Sequence, residues 1–69
     1  MGNEFVARAL ISHDGHFITH ERGCGDDLKM AYSLVDKWVK EGIWMAETEK
    51  QVERKYPPHR IVYAEVVKR

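Results

Sequence analysis

Cysteine is nearly absent from this sequence. Cys24 is the only one, so no internal disulfide can form. Small secreted scaffolds without a large core usually depend on several disulfides, so this absence argues for a reducing compartment. No apolar run approaches the roughly 18 residues of a membrane span, and no signal peptide is recognisable. We therefore expect a cytoplasmic protein with no membrane contact.

An excess of charge is also lacking, since eleven basic residues balance eleven acidic ones. This balance removes the general electrostatic argument for nucleic acid or an anionic membrane as partner. Positive charge is nevertheless concentrated toward the C-terminus. The side chains there that could follow a nucleic-acid backbone are Lys50, Arg54, Lys55, His59, Arg60, Lys68 and Arg69. No recognised DNA- or RNA-binding motif accompanies them, so nucleic-acid binding is an alternative function.

What the sequence does contain predicts one small folded domain over residues 1–69. Its 43% hydrophobic and 32% charged residues are typical of globular proteins. A chain of this length buries only about 60% of the surface that it exposes when unfolded. The core must therefore be thin.

A β-hairpin is predicted at the N-terminus by Asp14-Gly15 between two alternating segments. The first strand is expected from about Glu4 to His13, and the second from His16 to about Glu21. A two-residue turn places three pairs opposite each other: His13 with His16, Ile11 with Ile18 and Ala9 with His20. One face then carries Phe5, Ala7, Ala9, Ile11 and Ile18, and the other carries Val6, Leu10 and Phe17.

The main helix is predicted between Asp26, its expected N-cap, and Gly42, its stop signal. Asp27 would add favourable negative charge to the first turn. Apolar residues at helical spacing form one stripe that should pack on the hairpin. That stripe consists of Leu28, Ala31, Leu34, Val35, Trp38 and Val39.

Residues 43–56 are rich in Glu, Lys, Gln and Arg, which favours a second, short helix. The apolar stripe there is sparse, and a strand is the alternative. Pro57 and Pro58 interrupt regular structure, and the β-branched segment RIVYAEVVK predicts a C-terminal strand. The expected fold is α+β: a small antiparallel sheet, made of the hairpin and the C-terminal strand, packed on the helices in the order ββα(α)β.

Three histidines and Cys24 recur at positions 13, 16, 20 and 24, and zinc selects such side chains. On the hairpin, His13 and His16 are neighbours, but His20 lies roughly 13 Å farther along the strand. We therefore expect no metal site and no cofactor. A two-histidine site completed by His59 or by another chain is the alternative.

No catalytic residue is predicted. A helix start after Cys24 would favour a thiolate, but Asp26 and Asp27 oppose it and no histidine is placed as its base. The same two carboxylates oppose phosphate binding at Gly23-Cys24-Gly25. Capping and solvation explain the acidic pairs at 26–27 and 47–49. We expect a protein that is not an enzyme, and a metal- or thiol-dependent enzyme is the least favoured alternative.

Apolar and aromatic side chains exceed what one helical layer can cover. The residues that we expect at a partner-binding surface are Val6, Leu10, Phe17, Trp44, Tyr56 and Tyr63. Shielding by the second helix or by the tails is the competing explanation. Exposed apolar patches are typical of docking surfaces and of homodimer interfaces, and an open strand edge offers added pairing.

The segment HFITHERGCGDDLKMAYSLVDKWV, residues 16–39, resembles the HicB-type antitoxin domain, in which a hairpin leads through a Gly/Cys turn into an acidic-capped helix. In size and order the chain is also similar to small phage-encoded inhibitors, which occupy a partner's surface. These likenesses cover residues 4–42. They imply a non-enzymatic protein-binding module, an inhibitor or regulator of phage or prophage type that acts by steric occlusion, with a protein partner or a homodimer.

Overall fold

The computed structural model describes residues 4–47 and 52–69. Its elements are β1 (Phe5–His13), β2 (His16–Gly23), α1 (Leu28–Glu41), β3 (Ile43–Glu47), β4 (Val52–Tyr56), a short 3-10 helix (Pro58–Arg60) and β5 (Ile61–Lys68). A three-stranded antiparallel sheet has the order β2-β1-β5, and β3 pairs with β4 in a separate hairpin. The α+β class, the sheet and the main helix are as predicted. No helix in the described ranges is long and apolar enough to cross a membrane.

The first hairpin has the predicted register. Asp14 and Gly15 adopt φ angles of 48° and 77°, as a turn with positive φ at both central residues requires. His13 pairs with His16, Ile11 with Ile18 and Ala9 with His20. The turn therefore decides which side chains of β1 and β2 face the helix.

The core lies between α1 and the inner face of the sheet, which is the face toward the helix. Ala7, Ala9 and Ile11 on β1 are completely buried, as is Ala31 on α1. The helix packs across β1 and β5. Because the small side chains of Ala7 and Ala9 on β1 and of Ala31 on α1 lie in this core, the helix can approach the central strand closely.

The helix begins one residue later than predicted. Asp27, not Asp26, is its N-cap, and Asp27 Oδ1 accepts a hydrogen bond from the Met30 amide at 2.9 Å. Gly25 has a φ of 57°, and the Asp27 amide donates to the Cys24 carbonyl. This turn delays the start of the helix, so Asp27 leaves the first helical turn and becomes its cap.

The second predicted helix is wrong, because the described parts of residues 43–56 are strands. Ile43 and Tyr56 face each other across β3 and β4 and join the core. Ile43 is buried, Trp44 is exposed and Met45 is half-buried, so the period is that of a strand. Burial of these two core residues overrides the helical propensity of the charged residues between them.

Gly42 connects α1 to the second hairpin. Its amide donates to the Trp38 carbonyl at 2.9 Å, which closes the helix, and its φ of 91° is a conformation that glycine adopts at little cost. A Cβ at this position would overlap the backbone carbonyl oxygen of Tyr56. The end of β4 therefore packs directly on the helix terminus, at a spacing that only glycine permits.

We predict that Gly42→Ala destabilises the protein much more than Gly15→Ala. Both glycines have positive φ, but a Cβ at Gly15 would meet nothing within 4 Å, so its substitution should cost only about 1–2 kcal/mol. At Gly42 the overlap with Tyr56 adds to a backbone strain of roughly 1–3 kcal/mol. Urea unfolding of both variants measures the difference. Equal losses would show that β4 does not pack against Gly42.

Candidate functional site

The outer face of the three-stranded sheet, which points away from α1, is open to solvent in the part of the chain that the structure describes. Strand alternation places Leu10, Phe17 and Tyr63 on this face, and Leu10 pairs directly with Tyr63. Phe17 is 68% exposed and Tyr63 is 45% exposed, while Leu10 between them is half-buried. We call these three residues the outer patch. Phe17 pairs with Ser12 and is the diagonal neighbour of Leu10. Diagonal neighbours on one face lie about 7–8 Å apart, within reach of an aromatic side chain, so the patch is continuous.

A row of charges borders the outer patch. Arg8 donates from Nε and Nη2 to Glu21 Oε2 at 3.2 and 3.1 Å, and Arg69 Nη2 donates to the same oxygen at 3.0 Å. Glu65 lies on the other side of Arg8, at 3.9 Å. These hydrogen bonds, chiefly those from Arg8, hold the pKa of the Glu21 carboxyl below its ordinary value. Exposed ion pairs contribute little to stability, but this row gives the patch a polar border of fixed geometry.

Two residues expected at a partner-binding surface are buried instead. Val6 is only 1% exposed although it points to the outer face, where it pairs with Gly23 and Val67. Tyr56 is 7% exposed, since it faces Ile43 in the core. Neither side chain is accessible to a partner. Trp44 is exposed, but it lies on β3, away from the outer patch.

The helix carries a second exposed apolar surface. Leu28 and Val39, expected in the core stripe, are exposed together with Tyr32. At 100° per residue these three positions fall within about 40° of one another, beside the buried stripe. We call them the helix flank. Tyr32 was not predicted at an exposed apolar surface, although its spacing of four from Leu28 is the signal that indicates it.

The cationic residues of the C-terminal third do not form one surface. Arg54 Nη1 lies 3.0 Å from His13 Nε2, at the turn end of β1. The Arg69 amide instead bonds to Glu4, next to the start of β1, and the strand between them spans roughly 26 Å. His59 and Arg60 lie in the 3-10 helix, Lys68 ends β5, and Lys50 lies outside the described residues. Lys55 stands over the Trp44 ring, with its Nζ 5.7 Å from the ring centroid.

A cleft of about 160 Å³ opens between β2, α1 and β3. Two of its residues, His20 and Arg22, come from the inner face of β2, and Trp44 comes from β3. Among the described residues, the lining consists of His20, Arg22, Leu34, Lys37, Trp38, Gly42 and Trp44. The His20 ring meets the buried Trp38 ring edge-on, with centroids 5.1 Å apart. Sequence reasoning missed this cleft, because its residues come from three separate elements.

The histidines and the cysteine are separated as the hairpin register requires. His13 packs edge-on against Tyr56 at 5.4 Å, whereas His20 lines the cleft. Cys24 is buried, and its Sγ lies 3.6 Å from the Arg22 carbonyl oxygen. Within residues 4–47 and 52–69, no three His, Cys, Asp or Glu side chains lie close enough together to hold a metal ion.

The environment of His20 favours its neutral form. Burial in the cleft is the main reason why its pKa falls below the ordinary 6.5, and the positive charge of Arg22 lowers this pKa further. The unfolded chain therefore takes up a proton at this position more readily than the folded chain. The stabilisation from neutral His20 is complete above pH 6.5 and is lost as the pH falls through the folded pKa.

We predict that NMR titration of the His20 imidazole will give a pKa below 6.5 in the folded protein. Arg22→Gln should raise this pKa only in part, because burial remains. Arg60→Gln removes a cation from outside the cleft and should leave the titration unchanged. A wild-type midpoint at or above 6.5 would contradict the burial of His20 against Trp38.

The chain matches no protein-family model, no curated protein and no solved structure. The likeness to HicB-type domains and to phage inhibitors therefore stays a prediction. Function has to be inferred from the outer patch, the helix flank and the cleft.

Proposed function

We propose that this protein is a non-enzymatic protein-binding module that docks through the outer face of its three-stranded sheet. The observation that carries the proposal is the outer patch, in which Phe17 and Tyr63 stand exposed on either side of Leu10. Contiguous exposed apolar side chains are typical of interaction sites. Aromatic residues with a polar border have the composition of an interface centre and part of its rim. The row of Arg8, Glu21 and Glu65 supplies such a rim.

The size of the outer face favours a partner larger than this chain. Three strands of eight or nine residues present a face of about 14 by 28 Å, on the order of 400 Å². Two copies packed through this face alone would bury on the order of 800 Å² in total, about half of a standard stable interface. A larger partner can contact the neighbouring strand edges as well.

Both edges of the sheet allow such an extension. Among the described residues, β2 and β5 each pair only with β1, so one side of each strand has backbone groups without a strand partner. A partner strand added there would form main-chain hydrogen bonds next to the outer patch. An inhibitor or regulator of phage or prophage type, which acts by covering a partner's surface, is the form of this function that the layout resemblance suggests.

The outer patch and the helix flank can be distinguished by matched double variants. Phe17→Ser with Tyr63→Ser removes the patch, and Tyr32→Ser with Val39→Ser removes the flank. All four side chains are exposed, so both proteins should remain folded within roughly 0.5 kcal/mol per site. We expect the first variant to lose at least tenfold in affinity for a partner captured from the source cells, and the second to bind as the wild type does. Calorimetry with the purified partner measures both.

Three outcomes would contradict this proposal. Loss of binding in the flank variant alone would place the docking surface on α1. Equal binding by both variants and the wild type would show that neither the outer patch nor the helix flank is the docking surface. A stable dimer in light scattering, dispersed by Phe17→Ser with Tyr63→Ser, would show that a second copy occupies the outer face in place of a larger protein.

A further inference from the structure

The charged side chains among the described residues that line the cleft are all positive. Of its seven residues, Arg22 and Lys37 are cationic, His20 is titratable, and the others are apolar or glycine. None of the lining residues that the structure describes carries a carboxylate, although the chain has as many acidic as basic residues. Although the protein has no net charge, positive charge is therefore in local excess around this concave site. Such a site attracts an anion.

The two cations of the cleft are not engaged elsewhere in the described parts of the chain. Arg8 and Arg69 share Glu21, and Lys40 pairs with Asp36 at 3.0 Å. Within residues 4–47 and 52–69, by contrast, the side chains of Arg22 and Lys37 form no ion pair or hydrogen bond. Both line the same cleft, Arg22 from β2 and Lys37 from α1. Arginine and lysine together are well suited to phosphate oxygens.

Trp44 offers an aromatic surface beside these cations. Its side chain is 60% exposed, whereas Trp38 is only 5% exposed and already packs against His20. Trp44 is therefore the indole that a ligand ring can reach. Stacking of a base on an exposed aromatic side chain next to cations is the usual way in which single-stranded nucleic acids are held. Lys55 Nζ lies 5.7 Å from the Trp44 ring centroid, over one face of the ring, so a base would stack on the opposite face.

The volume of the cleft matches the size of a single ring. At about 160 Å³, it is similar to a cavity of roughly 150 Å³ that accommodates benzene. A pyrimidine fits this space, while the larger bicyclic purine would extend into solvent. The combination of one ring, an exposed indole and two unpaired cations specifies a planar ring that carries phosphate.

We propose that the cleft binds a pyrimidine nucleotide, with its base against Trp44 and its phosphate between Arg22 and Lys37. The nucleotide is either free or part of a single strand, since the same groups would recognise both. This site lies on the helix side of β2, whereas the outer patch lies on the opposite face. It is therefore independent of the proposed protein-docking surface, and each can fail without the other.

The test follows the Trp44 indole N–H signal by NMR while ligand is added to the intact protein. Uridine monophosphate should shift this signal and saturate. Uridine, which lacks the phosphate, and inorganic phosphate, which lacks the ring, should each bind at least roughly tenfold more weakly, because each loses one half of the contacts. A short oligouridylate that binds more tightly than the monophosphate identifies a strand as the source. Its affinity should then fall with salt, by a log–log slope of about −0.7 for each phosphate contacted.

Matched variants separate the cleft from general surface charge. Arg22→Gln with Lys37→Gln removes two cations from the cleft, and Lys29→Gln with Lys40→Gln removes two exposed cations of α1 that are not among the lining residues. We expect the first pair to weaken uridine monophosphate binding by roughly tenfold or more and the second to leave it unchanged. Trp44→Leu, which keeps an apolar side chain but removes the stacking surface, should weaken binding to a similar extent.

Four results would overturn this assignment. Uridine and its monophosphate binding equally would show that the cations play no part. Equal losses in the two charge variants would indicate non-specific attraction. If the Trp44 signal does not shift at millimolar nucleotide, the cleft does not bind a nucleotide. A short peptide with a C-terminal phenylalanine that binds where the nucleotide does not would show that the cleft takes a protein terminus.

Discussion

The central strand β1 is the element on which the rest of the structure depends. It pairs with β2 on one side and with β5 on the other, so its backbone is hydrogen-bonded along both edges. Its two faces then have different roles. Ala7 and Ala9 face α1 and allow the helix to approach closely, while Arg8 and Leu10 point to the outer face. Among the described residues, α1 is the only α-helix and it covers the inner face, while Phe17 and Tyr63 on the outer face remain exposed.

Gly42 is the second constraint, because it determines where the β3–β4 hairpin meets this core. The hairpin has little apolar surface of its own, and two-stranded hairpins are marginal in isolation. Ile43 and Tyr56 attach it to the core, and the direct contact of Tyr56 with Gly42 fixes its position at the end of α1. The same arrangement places Trp44 and Lys37 in the lining of one cleft. The cleft is thus a consequence of how the helix ends.

Local signals in the sequence were enough to predict the first hairpin and the main helix. The Asp14-Gly15 turn needs no distant contact, and it alone specifies which residues of β1 and β2 are opposite each other. Residues 43–56 were mispredicted for the opposite reason. Their composition favours a helix, and only the burial of Ile43 opposite Tyr56 makes them strands.

The cleft could not be predicted, since β2, α1 and β3 come together only in the folded chain. Of the outer patch, Leu10 and Phe17 followed from alternation, whereas the burial of Val6 depends on neighbours from other strands.

The net charge of the chain does not show where its charges lie in the folded protein. Zero net charge argues against an anionic partner only if the charges are evenly distributed. In the structure, Glu21 and Glu65 lie on the outer face beside Arg8, while Arg22 points from the same strand as Glu21 to the opposite side. Strand alternation therefore separates a charge-paired outer face from a cationic cleft within one β-strand. The two surfaces share β2 but no side chain, so a ligand in the cleft and a protein on the outer face can bind at the same time. Any coupling between the two binding events must pass through a displacement of β2.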